Sequence, residues 1–353
     1  MGAQKTIFVV DDNDTNLAVA KEALDKSYRV LTLPSAAKMF ALIDKVVPDL
    51  ILLDIEMPDM DGFEALRRLK TDNLHENIPV IFLTSMRDAA TEIRGFQLGV
   101  VDFVTKPFTA PVLLNRIKSH LQIDEIIRER TAQIQRLKNA IVLGFADVVE
   151  KRDSDTGNHV ERTSEYIRVL VIAMKERGVH ENMLSDIDID SFSSSARLHD
   201  IGKIAIPDAI LNKPAKLTNE EYTIMKTHAA EGERMIDRMA ARTDDDVFLK
   251  NAKHFAGGHH EYWDGSGYPR SLKGAKIPIQ GRIMALVDVY DALLSKRPYK
   301  ERFTLDETLA IIRDKVGKQF DPYITDVFFE IQDKLSDVRK KYTDEETTPP
   351  ASG

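Results

Sequence analysis

Cysteine is absent from this chain of 353 residues, and that absence excludes several kinds of chemistry at once. Thiol nucleophiles, disulfide bridges and cysteine-liganded zinc sites all need the sulfur atom. A chain without disulfides also fits a reducing compartment. Any metal site must therefore be built from histidine nitrogens and carboxylate oxygens.

Long apolar runs and a strong charge imbalance are missing as well. No run approaches the ~18 apolar residues that a membrane span needs, and the opening MGAQKTIFVVDD lacks the apolar core of a signal peptide. The formal net charge of −8 is mild and gives no electrostatic reason to expect non-specific nucleic-acid binding. We therefore expect a cytoplasmic protein that neither inserts into a membrane nor binds DNA.

Short apolar runs alternate with amphipathic stretches in the first third of the chain. Each apolar run predicts a strand, at residues 7–10, 28–33, 50–53, 80–84 and 102–105. The stretches between them predict helices near residues 14–26, 36–46, 62–70 and 88–98, and another from Pro111 onward. Five such units predict a doubly wound parallel sheet, with its working residues at the carboxyl ends of the strands.

Polar residues stand at those strand ends. Asp11 and Asp12 follow the first strand, Asp54 ends the third, Thr84 ends the fourth and Lys106 follows the fifth. Three carboxylates on one rim repel each other unless a cation lies among them, and oxygen ligands suit Mg²⁺. A lysine and a threonine hydroxyl at the same place suit a phosphoryl group. Each residue alone is more simply a solvated loop residue, but together they favour a site.

Four motifs make this segment similar to the receiver domain of two-component response regulators: DD at 11–12, LLDIEMPDMDG at 52–62, LTS at 83–85 and VTKPF at 104–108. The resemblance implies a receiver domain over residues 1–122. It also implies that Asp54 accepts a phosphoryl group from a cognate sensor histidine kinase.

The same resemblance implies roles for the neighbouring residues. Mg²⁺ would be held by the carboxylates of Asp11, Asp12 and Asp54 and by the backbone of Glu56. Thr84 and Lys106 would contact the phosphoryl group. Phe103 stands where the family carries an aromatic switch residue, although an ordinary buried aromatic explains it equally well.

The segment 112–152 contains no proline and a single glycine, Gly144. Apolar residues recur in it every seven positions, at Ile127, Ile134, Ile141 and Val148. A seven-residue repeat favours a helix packed along a partner helix, so we expect a helical connector, residues 123–145, that forms a parallel homodimer. The alternative is one long helix lying on its own domain, and three heptads do not decide between the two.

The remaining chain shows no convincing run of strands. Amphipathic patterns predict helices near residues 159–178, 218–239, 280–295, 304–315 and 323–336. Thr218, followed three residues later by Glu221, has the signature of a capping box. This half should be an all-helical bundle, and the polar, acidic tail, residues 341–353, is expected to be disordered.

Seven of the nine histidines lie in this helical half. Two are adjacent in HHEYWDGSGYP, residues 259–269, where two glycines and a proline shape a tight loop. Taken alone, this loop could equally be a surface turn with incidental histidines. The other residues with distinctive neighbours are His199 and Asp200 in RLHDIGK, His159 in RDSDTGNH, His228 in MKTHAAEG and Asp288 in ALVDVYDAL.

These side chains together describe a mixed nitrogen and oxygen donor set. His228 alone is more often an ordinary helix-face histidine, and we assign His180 and His254 to that class. Asp288 is suggestive because a buried carboxylate needs a partner or a metal. Five histidines with two or three aspartates suit Mn, Fe, Zn or Ni, and they exceed the four ligands of one tetrahedral ion. Two metal ions bridged by an aspartate would use the whole set.

Three motifs make this half similar to the HD-GYP branch of the HD metal-dependent phosphohydrolases: HD at 199–200, HH at 259–260 and GYP at 267–269. The similarity continues through LKGAKIP, RIMALVDVYDAL and RPYK. The resemblance implies an HD-GYP domain over residues 146–340 that hydrolyses cyclic di-GMP to linear pGpG, GMP or both.

Site residues follow from this resemblance position by position. The implied metal ligands are His159, His199, Asp200, His228, His259, His260 and Asp288. Asp200 would bridge two ions and act in catalysis together with Lys203. The implied substrate contacts are Lys203, Gly267, Tyr268, Arg297 and Lys300. Some members have arginine in place of Lys300, and lysine lacks the planar fork of arginine.

The number of metal ions is a separate question. Some relatives place a glutamate for a third ion four residues before the first histidine ligand, and here that residue is Asp155. Aspartate is shorter by one methylene, roughly 1.5 Å of reach. We therefore expect two firmly held ions and an absent or weak third. The simpler alternative is that Asp155 caps the helix that begins near His159.

Three classes of function remain to be weighed. An enzyme, a response regulator whose output domain hydrolyses a cyclic dinucleotide under the control of Asp54, is favoured by the complete ligand set. A catalytically weak sensor or docking module acting through the GYP loop has no need of seven metal-binding side chains. A DNA-binding regulator is disfavoured because the output half lacks a basic surface.

Overall fold

A computed structural model of the protein describes residues 4–72, 74–85, 89–152, 158–185, 187–243, 247–295 and 302–345. The chain divides into two compact units, Met1–Gln135 and Arg136–Gly353. The division falls inside the predicted connector. Three residues singled out in the sequence, Asp155, Arg297 and Lys300, lie outside the described residues.

The five apolar runs of the first unit form one parallel sheet. Its strands are β1 (Thr6–Val10), β2 (Arg29–Leu33), β3 (Leu50–Asp54), β4 (Val80–Thr84) and β5 (Asp102–Thr105). All pairings are parallel and the spatial order is β2-β1-β3-β4-β5. The predicted five-stranded parallel sheet is confirmed. Connections leave β1 in both directions, so a crevice opens at the carboxyl ends of β1 and β3.

Helices cover both faces of this sheet. They are α1 (Asp14–Leu24), α2 (Ala36–Ile43), α3 (Gly62–Lys70), α4 (Ala89–Gln97) and the first turns of α5 (Ala110–Arg152). Successive strand residues point to opposite faces. Phe8 and Val10 of β1 therefore pack in a core with α2 and α3, whereas Ile7 and Val9 pack in a second core with α1 and α5. The doubly wound arrangement predicted from the sequence is confirmed.

Helix α5 is 43 residues long and runs without interruption through the predicted connector. The heptad residues on it are half or more exposed, with Ile134 the most exposed at 67%. The described part of the chain therefore leaves this face uncovered. Another face of the last turns is buried, because Val142 and Val149 pack against Leu198 and Phe248.

The regular secondary structure of the second unit is helical wherever its residues are described, apart from one isolated bridge between Val316 and Phe320. Three short 3₁₀ turns, Ala196–Leu198, Ile201–Ala205 and Gly274–Lys276, link its helices. The helices are α6 (His159–Glu176), α7 (Glu181–Leu184), α8 (Ile189–Ser195), α9 (Asp208–Leu211), α10 (Asn219–Met225), α11 (Thr227–Ala240), α12 (Val247–Gly258), α13 (Ile279–Leu294), α14 (Leu305–Asp314), α15 (Pro322–Glu330) and α16 (Gln332–Glu345).

The single helix predicted at residues 218–239 is two helices that meet at Lys226. The Thr227 hydroxyl donates to the Ile224 carbonyl at 2.7 Å, and His228 Nδ1 donates to the Met225 carbonyl at 2.7 Å. Side chains that take backbone carbonyls in this way compete with the helical hydrogen bonds. The predicted capping box of Thr218 and Glu221 is present at the start of α10.

One further expectation was wrong at a helix end. Residues 341–345, expected in the tail, continue α16, and Tyr342 packs against the core of the second unit. The N-cap residue of α6 is Asn158, and the alternative cap residue, Asp155, lies outside the described residues. Among the described residues, no helix is long and apolar enough to cross a membrane.

The core of the second unit lies between α6, α13 and α15. It is built from large buried side chains such as Tyr166, Tyr290 and Phe328, whose rings meet edge to face at about 5 Å. This packing fixes α6 and α13 side by side. The polar ends of both helices consequently face the same region as the end of α12.

Candidate metal centres

The predicted carboxylates of the first unit lie together at the carboxyl ends of β1 and β3. Asp11, Asp12 and Asp54 have oxygens within 4.8 Å of one another, and Asp11 and Asp54 are buried. Lys106 Nζ lies 2.7 Å from Asp11 Oδ2 and 2.8 Å from Asp54 Oδ1. The Glu56 N–H points to Asp54 Oδ1 at 3.4 Å. A divalent ion would find three oxygen donors here, as Mg²⁺ prefers.

The charges at this rim influence one another. Burial raises the pKa of Asp54, with Asp11 adding to the increase and Lys106 opposing it. Burial opposes the charge of Lys106, but its two carboxylate partners raise its pKa above the ordinary value. Lysine therefore stays a cation beside Asp54, where it can neutralise an incoming phosphoryl oxygen.

The two remaining predicted receiver residues are also buried. Thr84 ends β4 beside Thr105 of β5. Phe103 lies between Phe82 and Phe96, with ring centroids 5.6 Å and 5.2 Å away. This packing is that of an ordinary buried aromatic residue, the alternative given above. A role of Phe103 as a switch residue stays a proposal.

All seven metal ligands implied by the sequence come together in the second unit. Two groups of three side chains each have donor atoms within 4.8 Å of one another. One group is His228, His259 and His260, which we call the imidazole group. The other is His159, His199 and Asp288, which we call the mixed group.

Five different local structures deliver these side chains. His159 is the first residue of α6, His228 stands in the first turn of α11, and Asp288 lies within α13. His259 and His260 follow α12 directly. Helix α12 was missed in the sequence because eight of its twelve residues are buried, which leaves only a narrow polar strip at Lys250, Lys253 and His254 to mark it.

His199 and Asp200 stand between two 3₁₀ turns, and the second of these, Ile201–Ala205, packs against α11. The contact is so close that a Cβ on Gly202 would lie 2.0 Å from the His228 carbonyl oxygen and 2.5 Å from the Gly232 nitrogen. Only a residue without a side chain fits there. Bare backbone at Gly202 therefore brings Asp200 next to His228.

Asp200 lies between the two groups and offers one oxygen to each. Its Oδ1 is 3.4 Å from His228 Nε2 and 3.5 Å from His259 Nε2. Its Oδ2 is 3.3 Å from His199 Nε2 and 2.8 Å from Lys203 Nζ. Burial alone would raise the pKa of Asp200, but Lys203 and His199 hold it well below its usual range. The carboxylate is therefore ionised and placed to bridge two cations.

The outer nitrogens of four of the five histidines are occupied. His199 Nδ1 donates to the Ala196 carbonyl, and His228 Nδ1 donates to the Met225 carbonyl. His259 Nδ1 donates to the carbonyls of Phe255 and Ala256. His159 Nδ1 instead lies 2.8 Å from Asp291 Oδ2. An Nδ1 that donates leaves the Nε2 lone pair free, and every one of these lone pairs points inward.

These inward lone pairs fit a metal. His228 Nε2 and His259 Nε2 lie 3.2 Å apart. Two nitrogen ligands about 2.1 Å from one ion are about 3.0–3.4 Å apart at octahedral or tetrahedral angles. His199 Nε2 and Asp200 Oδ1 are likewise buried without a hydrogen-bond partner. Burial lowers the pKa of His228 to about 4, which keeps it in the neutral, metal-binding form.

The GYP loop packs directly on the imidazole group. The Tyr268 ring stacks on His260 at 4.7 Å, and its backbone N–H donates to the His260 carbonyl. Glu261 is buried and accepts from the backbone nitrogens of Arg270 and Leu272, which closes the loop. Gly267 lies against the backbone of residues 260–262, where a side chain would not fit. This close packing explains a glycine here as well as the predicted contact with substrate does.

A pocket adjoins the mixed group. Charged and polar residues line one part of it, namely Glu150, His159, Arg197, His199, Asp200 and Lys203. Its other walls are apolar, from α5, α6 and the 3₁₀ turns. Glu150 also accepts a hydrogen bond from the His159 backbone nitrogen at 3.1 Å. A cleft with cationic and apolar walls beside the donor groups can take an anionic ligand.

Sequence reasoning missed several residues of this region, chiefly Glu150, Arg197, Glu261 and Asp291. One signal was present for Asp291, which stands three residues after Asp288 in a helix and so shares its face. The others had no such signal. Their positions depend on contacts between segments far apart in the chain.

Comparison with known proteins agrees with this geometry. Residues 7–118 match the family model of the response regulator receiver domain, and residues 145–324 match that of the HD domain. The chain is 39% identical to a probable cyclic di-GMP phosphodiesterase of Vibrio cholerae, over 98% of this chain and 82% of that protein. It is 36% identical to the cyclic di-GMP phosphodiesterase response regulator RpfG of Xanthomonas campestris, over 85% and 80% of the two chains. A cyclic di-GMP phosphodiesterase of Thermotoga maritima is 31% identical over 97% and 95%.

The protein is a response regulator with an enzymatic output half. More narrowly, it belongs to the family that joins a receiver domain to an HD domain, a metal-dependent phosphohydrolase. The HD domain implies binding of divalent metal, and the two donor groups fit that requirement. The resemblances recognised in the sequence are confirmed.

Gly267→Ala should destabilise the second unit and disturb the imidazole group. A Cβ there would lie 2.3 Å from the Tyr262 nitrogen and 2.5 Å from the His260 oxygen, so backbone must move. We expect a loss of about 1–3 kcal/mol in the free energy of unfolding, measured by urea denaturation.

Gly144→Ala is the matched control, since nothing lies within 4 Å of the added carbon in the middle of a helix. It should raise stability by about 0.5–1 kcal/mol. Equal stability of the two variants would contradict the close packing of the GYP loop.

Proposed function

We propose that this protein hydrolyses cyclic di-GMP at a binuclear metal centre. The observation that carries the proposal is the position of Asp200, which offers one oxygen to the imidazole group and the other to the mixed group. The names of its relatives support cyclic di-GMP as the substrate. The product would be linear pGpG, GMP or both.

The proposed centre holds two ions, because the described donors form two groups of three with one shared aspartate. The nitrogen-rich donors suit Mn, Fe, Ni or Zn. A third ion at Asp155 is proposed to be absent or weak, since that side chain is one methylene short. The receiver site would bind Mg²⁺ through oxygen donors alone.

The chain's own residues prepare this site for a phosphodiester. Bound divalent ions would neutralise the substrate's charge and lower the pKa of a water molecule. Lys203, whose Nζ lies 2.8 Å from Asp200, places a further positive charge beside a phosphate oxygen. Tyr268, stacked on His260, closes the other side of the site. Arg297 and Lys300 are proposed to hold the second phosphate or a guanine edge.

The second candidate is a binding protein that recognises the dinucleotide or docks a partner through the GYP loop with little turnover. The packing of Tyr268 on His260 favours this binding function, because the GYP loop and the imidazole group would then move together when a ligand binds. Metal and ligand binding without product would identify this case.

Asp200→Asn should abolish hydrolysis while keeping the side chain's size. The neutral amide cannot bridge two cations, so we expect activity to fall by more than about 100-fold and at least one ion per chain to be lost. Product would be followed by chromatography with added Mn²⁺, and metal by elemental analysis. Asp314→Asn, at an exposed helix end, is the control and should retain both. Wild-type protein that binds metal and cyclic di-GMP without turnover would favour the binding function instead.

We also propose that Asp54 is the phosphorylation site through which a sensor kinase controls the output half. The support is its burial beside Asp11 and Lys106, with room for a cation among three carboxylates. Phe103 is proposed to respond to the phosphoryl group through Thr84.

Asp54→Asn should prevent labelling by acetyl phosphate, because the amide is not a nucleophile toward phosphorus. Phos-tag electrophoresis in the presence and absence of Mg²⁺ measures the outcome. Asp61→Asn keeps a residue able to cap α3 and should be labelled as wild type. Labelling of the Asp54 variant at the wild-type level would refute the assignment.

The exposed heptad face of α5 supports a further proposal, a parallel homodimer. Ile127, Ile134, Ile141 and Val148 recur every seven residues and are half or more exposed. Ile and Val at the first core position of each heptad, the a position, favour two-stranded coiled coils. A second copy of the same helix is the occupant that such a repeat fits.

Ile134→Lys combined with Ile141→Lys should convert the dimer into a monomer, since both charges would be buried in the seam. Light scattering at micromolar concentration reports the mass. Glu129→Lys reverses a charge at an exposed position of the same helix outside the seam and should remain dimeric. A wild-type protein that is monomeric under these conditions would refute the proposed dimer.

A further inference from the structure

His159 differs from the other anchored histidines in what holds its outer nitrogen. His199, His228 and His259 each donate from Nδ1 to a backbone carbonyl. His159 Nδ1 instead lies 2.8 Å from a carboxylate oxygen, Asp291 Oδ2. A carboxylate partner makes an imidazole a stronger electron donor than a carbonyl does, because it stabilises the Nδ1 proton more strongly.

Asp291 is itself held rigidly. It is fully buried, and Arg162 binds it in two places, from Nε to Oδ1 at 2.8 Å and from Nη2 to Oδ2 at 2.9 Å. The Arg162 Nη2 also reaches Ser295 Oγ at 3.3 Å. This fork fixes the carboxylate plane and supplies the counter-charge that a buried anion needs.

The consequence reaches His159 Nε2. A carboxylate can only accept at this place, so it holds His159 as the tautomer with hydrogen on Nδ1. The lone pair of Nε2 then faces Asp288 Oδ1, 3.7 Å away in the mixed group. The carboxamide of an asparagine could donate to Nδ1 instead, which would put the proton on Nε2 and remove one donor from that group.

We propose that Asp291 is a positioning residue that sets the metal affinity of the mixed group through His159, while the imidazole group is independent of it. The proposal rests on the binuclear centre proposed above. It makes the two halves of the centre unequal, since the mixed group is supported by two carboxylates, Asp288 directly and Asp291 through His159.

The competing explanation is that Arg162 and Asp291 form a structural ion pair between α6 and α13. The chain offers a matched control. Arg282 Nη1 lies 2.9 Å from Asp321 Oδ2, both residues are buried, and His180 Nε2 lies 3.3 Å from the same oxygen. This second Arg–Asp–His cluster is outside both donor groups.

The test compares Asp291→Asn with Asp321→Asn by titration of the full-length apoprotein with Mn²⁺ in a calorimeter. Binding of Mn²⁺ to the receiver carboxylates contributes equally to the titrations of the wild type and of both variants. We expect one of the two ions of the second unit to bind about 10–100-fold more weakly in Asp291→Asn. The other ion should bind as in wild type, and Asp321→Asn should bind both normally even if its melting temperature falls.

A single asparagine leaves the Arg162 guanidinium buried without its partner, which alone can prevent folding. The double variant Arg162→Met with Asp291→Asn removes both charges and should show the same selective loss. Arg282→Met with Asp321→Asn is its control. Nitrogen NMR of histidine-labelled apoprotein adds a spectroscopic signature, because wild-type His159 should carry its hydrogen on Nδ1.

The outcomes separate this inference from the proposed function. Wild-type binding of two ions in the second unit, with both retained at wild-type affinity in the Asp291 variants, overturns the role of Asp291 alone. A wild-type His159 that carries no hydrogen on Nδ1 in the apoprotein overturns it as well. Failure of the wild type to bind two ions in that unit contradicts the binuclear centre itself.

Discussion

The structure of the second unit depends on one physical constraint. It must hold the buried lone pairs of several histidine nitrogens and of a carboxylate close together, all facing the same point. Lone pairs that face each other repel, and a buried polar atom without a partner costs about 1–3 kcal/mol. The chain tolerates this at His228, His259, His199 and Asp200 because their outer atoms are anchored and α6, α12 and α13 are locked by a large apolar core. Metal binding recovers that free energy, so the site is stabilised by the ligand it exists to hold.

The receiver unit meets a similar problem with a different solution. There the converging groups are carboxylates, and Lys106 lies between Asp11 and Asp54 as a permanent counter-ion. A lysine side chain could lengthen or shift its contacts if the proposed phosphorylation added a phosphoryl group, whereas an imidazole anchored at Nδ1 could not. One site therefore suits a modification that comes and goes, and the other suits ions that stay.

The sequence predicted the receiver sheet closely because three of its strands, β1, β3 and β4, are short, buried and mainly apolar runs. It predicted the convergence of the seven donor residues through motifs, not through periodicity. Helix α12 escaped detection because it is buried on most of its surface, and the break at Lys226 because side chains take two carbonyls there. Asp291 shares a helix face with Asp288, but its contact with His159, a residue 132 positions earlier, could not be predicted. Pairings of that kind follow from tertiary packing and have no local signal in the sequence.

The contact between Gly202 and the backbone of α11 bears on how this centre tolerates change. Backbone atoms, not side chains, set the distance between the turn that carries Asp200 and the helix that carries His228. Substitutions in the surrounding apolar core can therefore alter the stability of the unit while Asp200 keeps its distance from His228. At this one contact, the spacing of the chemical groups does not depend on which apolar side chains fill the interior.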